Sequence, residues 1–271
     1  IEAELETAKG ERFGARLTAI DGVTLKKLDL KDEATAHAIK AAIEKGEFRV
    51  TSVERKATKR NPFAPFATST LQMDASRKLG FSAKQTMQIA QRLYEGVDLG
   101  GETVGLITYM RTDGVTIVPE AVNAIRGLIA RDYAQRYVAP FIREYKTKAK
   151  NAQEAHEAIR PTDPARRPKD VARHLDRDQA ALYELIWRRA IASQMASAEL
   201  EQTSAEIAVK GRDGKSYMLR ATGSVVLFEG FLKVYEEGRD DRVRVVDEGK
   251  EDAEDDGVPR RLPRLAAGDR L

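Results

Sequence analysis

Asn61-Pro62-Phe63-Ala64-Pro65-Phe66-Ala67-Thr68-Ser69-Thr70 divides the chain into two kinds of sequence. Before it, residues alternate at the period of a strand; after it, apolar residues recur at helical spacing. Its two prolines and two aromatics read as a linker, and Thr68 or Ser69 supplies the hydroxyl that opens the first helix beyond it.

Upstream of this linker, Phe13 to Ile20 and Val23 to Leu25 flank Asp21-Gly22, a pair that tolerates positive φ and favours a tight hairpin. Asp32 can cap a helix from about Glu33 to Lys45 that Gly46 ends, and Phe48 to Arg55 alternates like a strand. Downstream, one helix runs to Leu79 and stops at Gly80, and Ser82-x-x-Gln85 has the form of a capping box for a second, to about Tyr94. A glycine-rich loop spans Gly96 to Gly105, and a third helix starts near Pro119 with Val122, Ile125 and Ile129 on one face. A long amphipathic helix, about Asp178 to Met195, turns Leu182, Leu185, Ile186 and Ile191 inward. Period two then returns in Thr203 to Val209, in Tyr217 to Thr222 after the turn Arg212-Asp213-Gly214, and in Val225 to Tyr235. Strands on both sides of a helical block predict an α+β protein: a mainly helical domain, residues 68–195, inserted into a β-rich domain made of residues 1–67 and 196–271.

Composition narrows the chemistry. The 271 residues can bury a real core, and 42% hydrophobic content argues against disorder. The net charge of +3 conceals an asymmetry, because Asp247 to Asp256 carries −6 and leaves +9 for the rest, a balance that suits a polyanion partner. The acidic run itself reads as a solvated loop. The chain has no cysteine, which removes thiol catalysis, disulfides and cysteine metal sites, and His37, His156 and His174 are too scattered for a zinc cage. No run is long and apolar enough for a membrane span, and the absence of a leader or an initiator Met suggests a piece of something longer. Asp176-Arg177-Asp178 is the only Asp-x-Asp, and it stands where a helix cap is needed rather than a metal. Trp187 reads as core, and Phe63 and Phe66 as staples of the linker.

Two segments could carry chemistry. In Thr108-Tyr109-Met110-Arg111-Thr112-Asp113, extended backbone places Tyr109 and Arg111 on one face. A phenol beside a guanidinium suits attack on a phosphodiester, because Arg binds two phosphate oxygens, stabilises charge developing at phosphorus and favours phenolate. A packed Tyr beside a surface Arg fits the same spacing. The second segment, His156-Glu157-Ala158-Ile159-Arg160-Pro161-Thr162, lacks the second His of a zincin motif. If helical, it places His156 and Arg160 on one face, where they could hold a phosphate; a capped helix stopped by Pro161 with a solvated basic face fits equally.

Gly105-Leu106-Ile107-Thr108-Tyr109-Met110-Arg111-Thr112-Asp113 resembles the active-site tyrosine motif of bacterial type IA DNA topoisomerases, and residues 152–162, AQEAHEAIRPT, resemble the family's second signature. APFATSTLQMDASRKLGF and AQRLYEG also fit, in family order. Met after the Tyr points to topoisomerase I; Gly114 departs from the Ser common there.

The resemblance implies that Tyr109 attacks one DNA strand to form a 5′-phosphotyrosine, with Arg111 and His156 as catalytic partners at the scissile phosphate. It implies DNA contacts by Arg111, Thr112, Asp113, His156 and Arg160, and single-stranded or underwound DNA as the substrate. Relaxation of negative supercoils would need the rest of the polypeptide, a DNA-binding floor and a Toprim domain that holds Mg2+, while this chain itself binds no metal and alone relaxes nothing. The implied shape is the arch of a gapped ring, and the implied location the bacterial cytoplasm and nucleoid, with no membrane partner. Two rivals compete: a tyrosine recombinase, against which stands the order of Tyr109 before His156, and a non-catalytic single-stranded nucleic-acid clamp.

Overall fold

The computed structural model describes residues 1–26, 28–146, 157–236 and 261–271. In chain order these form β1 (Glu2–Glu6), β2 (Arg12–Ile20), β3 (Val23–Thr24), α1 (Glu33–Ile43), β4 (Phe48–Arg60), α2 (Thr68–Leu79), α3 (Ala83–Glu95), β5 (Val97–Asp98), β6 (Thr103–Val104), α4 (Pro119–Tyr133), α5 (Pro168–Val171), α6 (Arg177–Ala192), β7 (Ala198–Lys210) and β8 (Ser216–Phe228). Helices and an antiparallel sheet make the chain α+β. It divides into two units. One comprises Ile1–Thr58, Glu199–Leu227 and the described residues 261–271; the other comprises Lys59–Ala198 and the described residues 228–236. The acidic run 247–256 lies outside the described residues.

The first unit is a sheet of order β1-β2-β8-β7-β4, with β3 added to β2. Asp21 and Gly22 both have positive φ (49° and 79°), so the hairpin turn forms as their chemistry requires. α1 is capped by Asp32, whose carboxylate accepts from Thr35 N–H at 2.7 Å. Its Ile39, Ala42 and Ile43 are buried in one core with Phe13, Leu17, Val50, Ile207 and Leu219. β1 and the residue before it alternate Ile1, Ala3 and Leu5 with Glu2, Glu4 and Glu6, and the turn at Thr7–Glu11 returns the chain to pair β1 with β2.

The second unit packs α2, α3, α4 and α6 around Leu71, Ile89, Leu93, Ile125, Ile129, Leu182 and Ile186. Trp187 belongs to this core and donates to Pro164 O at 2.9 Å. Asp176 caps α6 through Gln179 N–H at 2.7 Å, so the aspartate pair does serve as a cap.

Two local expectations give way. At Ser82 only half a capping box forms: Ser82 accepts from Gln85 N–H, while the Gln85 amide reaches Asp178 of α6 instead of turning back. The strand expected from Val225 to Tyr235 is instead the end of an unbroken β8, followed by a 3-10 turn at Gly230–Lys233. Gly230 decides this, because at φ +50° its backbone lies so close to Ser197 O that a Cβ would sit 2.4 Å away.

Candidate active site

Tyr109 is presented by a segment that belongs to no sheet but is fixed at almost every backbone position. Leu106 N–H donates to Leu93 O at the end of α3 (2.7 Å), and Gly105 passes so near Tyr94 O that a Cβ there would lie 2.5 Å from it. Ile107 bridges Pro161, and Thr162 N–H donates to Leu106 O at 3.0 Å. Leu106 and Ile107 are buried and anchor the segment.

Threonines clamp both sides of Tyr109. On one side, Thr108 N–H donates to Arg160 O (2.9 Å), its hydroxyl donates to Ala158 O (2.7 Å), and that hydroxyl accepts from Arg160 N–H (3.0 Å). On the other, the Thr68 hydroxyl at the start of α2 donates to Met110 O (2.7 Å) and accepts from Thr112 N–H (2.8 Å). Thr68 N–H completes the clamp by donating to Thr112 O at 2.9 Å. Each clamp satisfies backbone groups that a loop would otherwise leave to water.

Side chains alternate as extended backbone requires: Met110 and Thr112 are buried, while Tyr109, Arg111 and Asp113 are exposed. Tyr109 keeps 49% of its surface open, and its ring meets Tyr94 edge to face at 5.4 Å. Arg111 has no ion pair among the described residues and borders a shallow depression with Thr68, Ser69, Gln72, Thr112 and Asp113. Thr112 itself turns inward, its hydroxyl accepting from Gly114 N–H at 2.9 Å.

The second segment is not helical in its described part, which overturns both the shared-face and the capped-helix readings for residues 157–161. Glu157, Ile159 and Pro161 each form an isolated β-bridge, to Thr116, Phe66 and Ile107. The reason is that Ala158, Ile159 and Arg160 each donate to a different distant segment, and Pro161 biases Arg160 toward extended backbone. Arg160 is buried. Its guanidinium makes two bonds to the Glu157 carboxylate (2.6 and 3.1 Å) and a third to Pro161 O (2.9 Å). His156 lies outside the described residues.

A family described as DNA topoisomerase matches residues 1–269. The chain belongs to this family. It is 48% identical over 241 residues to DNA topoisomerase 1 of Rickettsia bellii, covering 89% of this chain and 30% of that protein. It is 49% identical over 270 residues to DNA topoisomerase 1 of Zymomonas mobilis, covering 99% and 20%. The solved structure of full-length topoisomerase I from Thermotoga maritima matches with a TM-score of 0.69 at 30% identity, covering 96% of this chain and 37% of that one. The chain spans about a third of the length of the first curated relatives it matches.

In this topoisomerase chain, Thr68, Thr108, Tyr94 and Glu157 build the site, yet none stood out as a chemical candidate from sequence. Thr68 and Thr108 left a weak signal in sitting beside a helix start and beside the tyrosine. Tyr94 and Glu157 lie inside the segments quoted for the resemblance, but nothing local showed that Tyr94 packs against Tyr109 or that Glu157 joins Arg160 to Val118 N–H. Among the described residues no three His, Asp or Glu side chains converge on a point that could hold a metal. These residues do not fit a magnesium site.

Proposed function

We propose that this chain is the tyrosine-bearing part of a type IA DNA topoisomerase, which relaxes negatively supercoiled DNA by cutting one strand, passing the other and resealing the cut. The observation that carries the reading is Tyr109 held open between two backbone clamps, with Arg111 exposed on the same face. A nucleophile must be accessible and its backbone immobile, and this segment meets both demands.

In the proposed reaction the Tyr109 oxygen forms a bond to phosphorus as the bond from phosphorus to the 3′-oxygen breaks. The phenol gives up a proton and the leaving 3′-oxygen gains one. Because one phosphodiester replaces another, resealing is the reverse reaction and needs no ATP. Arg111 binds the scissile phosphate and stabilises its added charge, and His156 contributes from the second signature. Arg160 enters as a positioning residue: its bond network shapes the 157–162 segment that grips Thr108. Asp113 lies beside Arg111 at the strand-binding face. The carboxylates and Mg2+ belong to a Toprim domain in the rest of the polypeptide, so this chain alone relaxes no DNA. Strand passage follows from moving the tyrosine-bearing unit about the chain crossings between its two units, in the bacterial cytoplasm at the nucleoid.

The test is covalent trapping of 3′-end-labelled single-stranded DNA by this chain, with and without a separately made Toprim domain, alongside Tyr109→Phe and Arg111→Ala. The reading requires a labelled protein band that needs both the Toprim domain and Tyr109. Strand binding that survives Tyr109→Phe with no band under any condition supports the clamp instead.

A further inference from the structure

Arg111 also borders a second depression, lined otherwise by Lys84, Met87, Gln88, Gln91 and Arg92 of α3. Lys84, Gln88 and Gln91 recur at i, i+4 and i+7, so they form one stripe that runs about 10 Å along the helix. No carboxylate is among its lining residues, in contrast to the depression that contains Asp113, and the Gln91 amide donates to the Glu95 carboxylate one turn further along the helix at 2.6 Å. Gln85, one residue off the stripe, is already engaged with Asp178. Arg92 pairs with Asp176 at 3.3 Å, but its side chain stays 55% exposed and keeps N–H groups for another acceptor.

Lys84 is the informative residue. It lies in the first turn of a helix capped by Ser82, where a cation opposes the helix dipole and costs stability. It has no ion pair among the described residues. A cation added to the positive end of a helix creates an anion site that folding alone does not call for. Met87, half-buried between the polar groups, offers an apolar surface for a sugar or base.

We propose that this face of α3, continuous with Arg111, is a track for the backbone of single-stranded DNA, and that it holds the phosphates on the tyrosine-linked side of the break. The choice of side follows from mechanics. The track and Tyr109 lie in the same unit, so only the strand bonded to Tyr109 can stay seated there when that unit moves. The proposal rests on the nucleophile assignment for its polarity, while the track itself does not.

Two measurements test it on the 271-residue chain. The first is fluorescence anisotropy with a labelled single-stranded oligonucleotide across a salt series, for the unsubstituted chain, Lys84→Gln, Lys84→Arg and Tyr109→Phe. Lys84→Gln lowers affinity and reduces the salt slope by about 0.7, because one phosphate is no longer neutralised. Lys84→Arg restores the slope, and Tyr109→Phe leaves it unchanged. An unchanged slope in Lys84→Gln, or no binding by the unsubstituted chain at low salt, overturns the track. A normal slope change without covalent trapping overturns only the nucleophile reading.

The second uses the absence of cysteine, which makes Gln88→Cys a unique thiol. Oligonucleotides carry, on a phosphate either 3′ or 5′ of the cleavage position mapped by trapping, a tether ending in an activated pyridyl disulfide, which the introduced thiolate attacks with release of thiopyridone. Disulfide formation with the 3′ tether, on the piece bonded to Tyr109, supports the assigned polarity. Disulfide formation only with the 5′ tether overturns it.

Discussion

The rings of Tyr94 and Tyr109 meet edge to face, their centroids 5.4 Å apart and their planes at 67°. Tyr94 is in the last turn of α3, and the chain returns past its carbonyl at Gly105 before presenting Tyr109. The helix thus fixes one side of the ring proposed as the nucleophile, while the other stays open. Such a pair contributes about 0.5–1.5 kcal/mol, so Tyr94→Ala should slow covalent complex formation roughly 2- to 12-fold. Tyr94→Phe should retain the rate, because the ring contact does not need the hydroxyl. Equal rates for all three proteins in the trapping assay would remove Tyr94 from the site.

Thr68 joins α2 to the tyrosine segment by its hydroxyl and its backbone. Removing the hydroxyl leaves Thr112 N–H and Met110 O short of a partner, at a cost of about 1–3 kcal/mol. Thr68→Ala should therefore lower the thermal midpoint and the cleavage rate together, and Thr68→Ser should restore both. A midpoint unchanged in the alanine variant would show that water replaces the clamp.

Gly105→Ala places a Cβ 2.5 Å from Tyr94 O, a backbone atom that cannot swing aside. The segment must shift, and Leu106 N–H with it. The expected outcome is a folded protein with a lowered thermal midpoint and a cleavage rate reduced more than by Tyr94→Ala. Wild-type cleavage by Gly105→Ala would contradict the fixed-segment account.

Arg160 and Glu157 form a bidentate pair that is mostly shielded from solvent, with Glu157 also accepting from Val118 N–H at 3.1 Å. Breaking a buried pair from one side costs about 3–5 kcal/mol, of which this partly open pair should show the lower part. Arg160→Lys cannot reproduce the two-pronged geometry and should recover little of the stability that Arg160→Ala removes. Denaturant unfolding of the two variants decides this, and full recovery by lysine would reduce the pair to simple charge.

Alkaline pH probes the first unit separately. Tyr217 donates to Asp213 at 2.7 Å, and burial, reinforced by that carboxylate, pushes its phenol from the ordinary 10.0 up to about 12. A raised folded-state value means the stabilisation is complete below about pH 10 and is lost as pH rises through about 12. The thermal midpoint should fall across that window, and Tyr217→Phe should flatten the fall. The same bond holds the Asp213 carboxyl below its usual range, so its contribution disappears only as pH drops through that lowered value.

What the sequence determined by itself was local. The Asp21-Gly22 turn, the caps at Asp32, Ser82 and Asp176, the stop at Gly80 and the outward run of Tyr109, Arg111 and Asp113 all follow from neighbours within a few residues. Sequence motifs likewise pointed to the family, because a motif is itself a local record. Tertiary structure decided what depends on partners far along the chain. Residues 157–161 are extended because Thr116, Phe66 and Thr108 claim their N–H groups, and that imposed path is what lets Arg160 turn inward onto its near neighbours Glu157 and Pro161. The Gln85 amide left its box for Asp178, 93 residues away, and β8 ends where Gly230 meets Ser197. Short-range signals set what a segment can form; which buried backbone groups still need partners, and which segments arrive to supply them, is settled only when the chain packs.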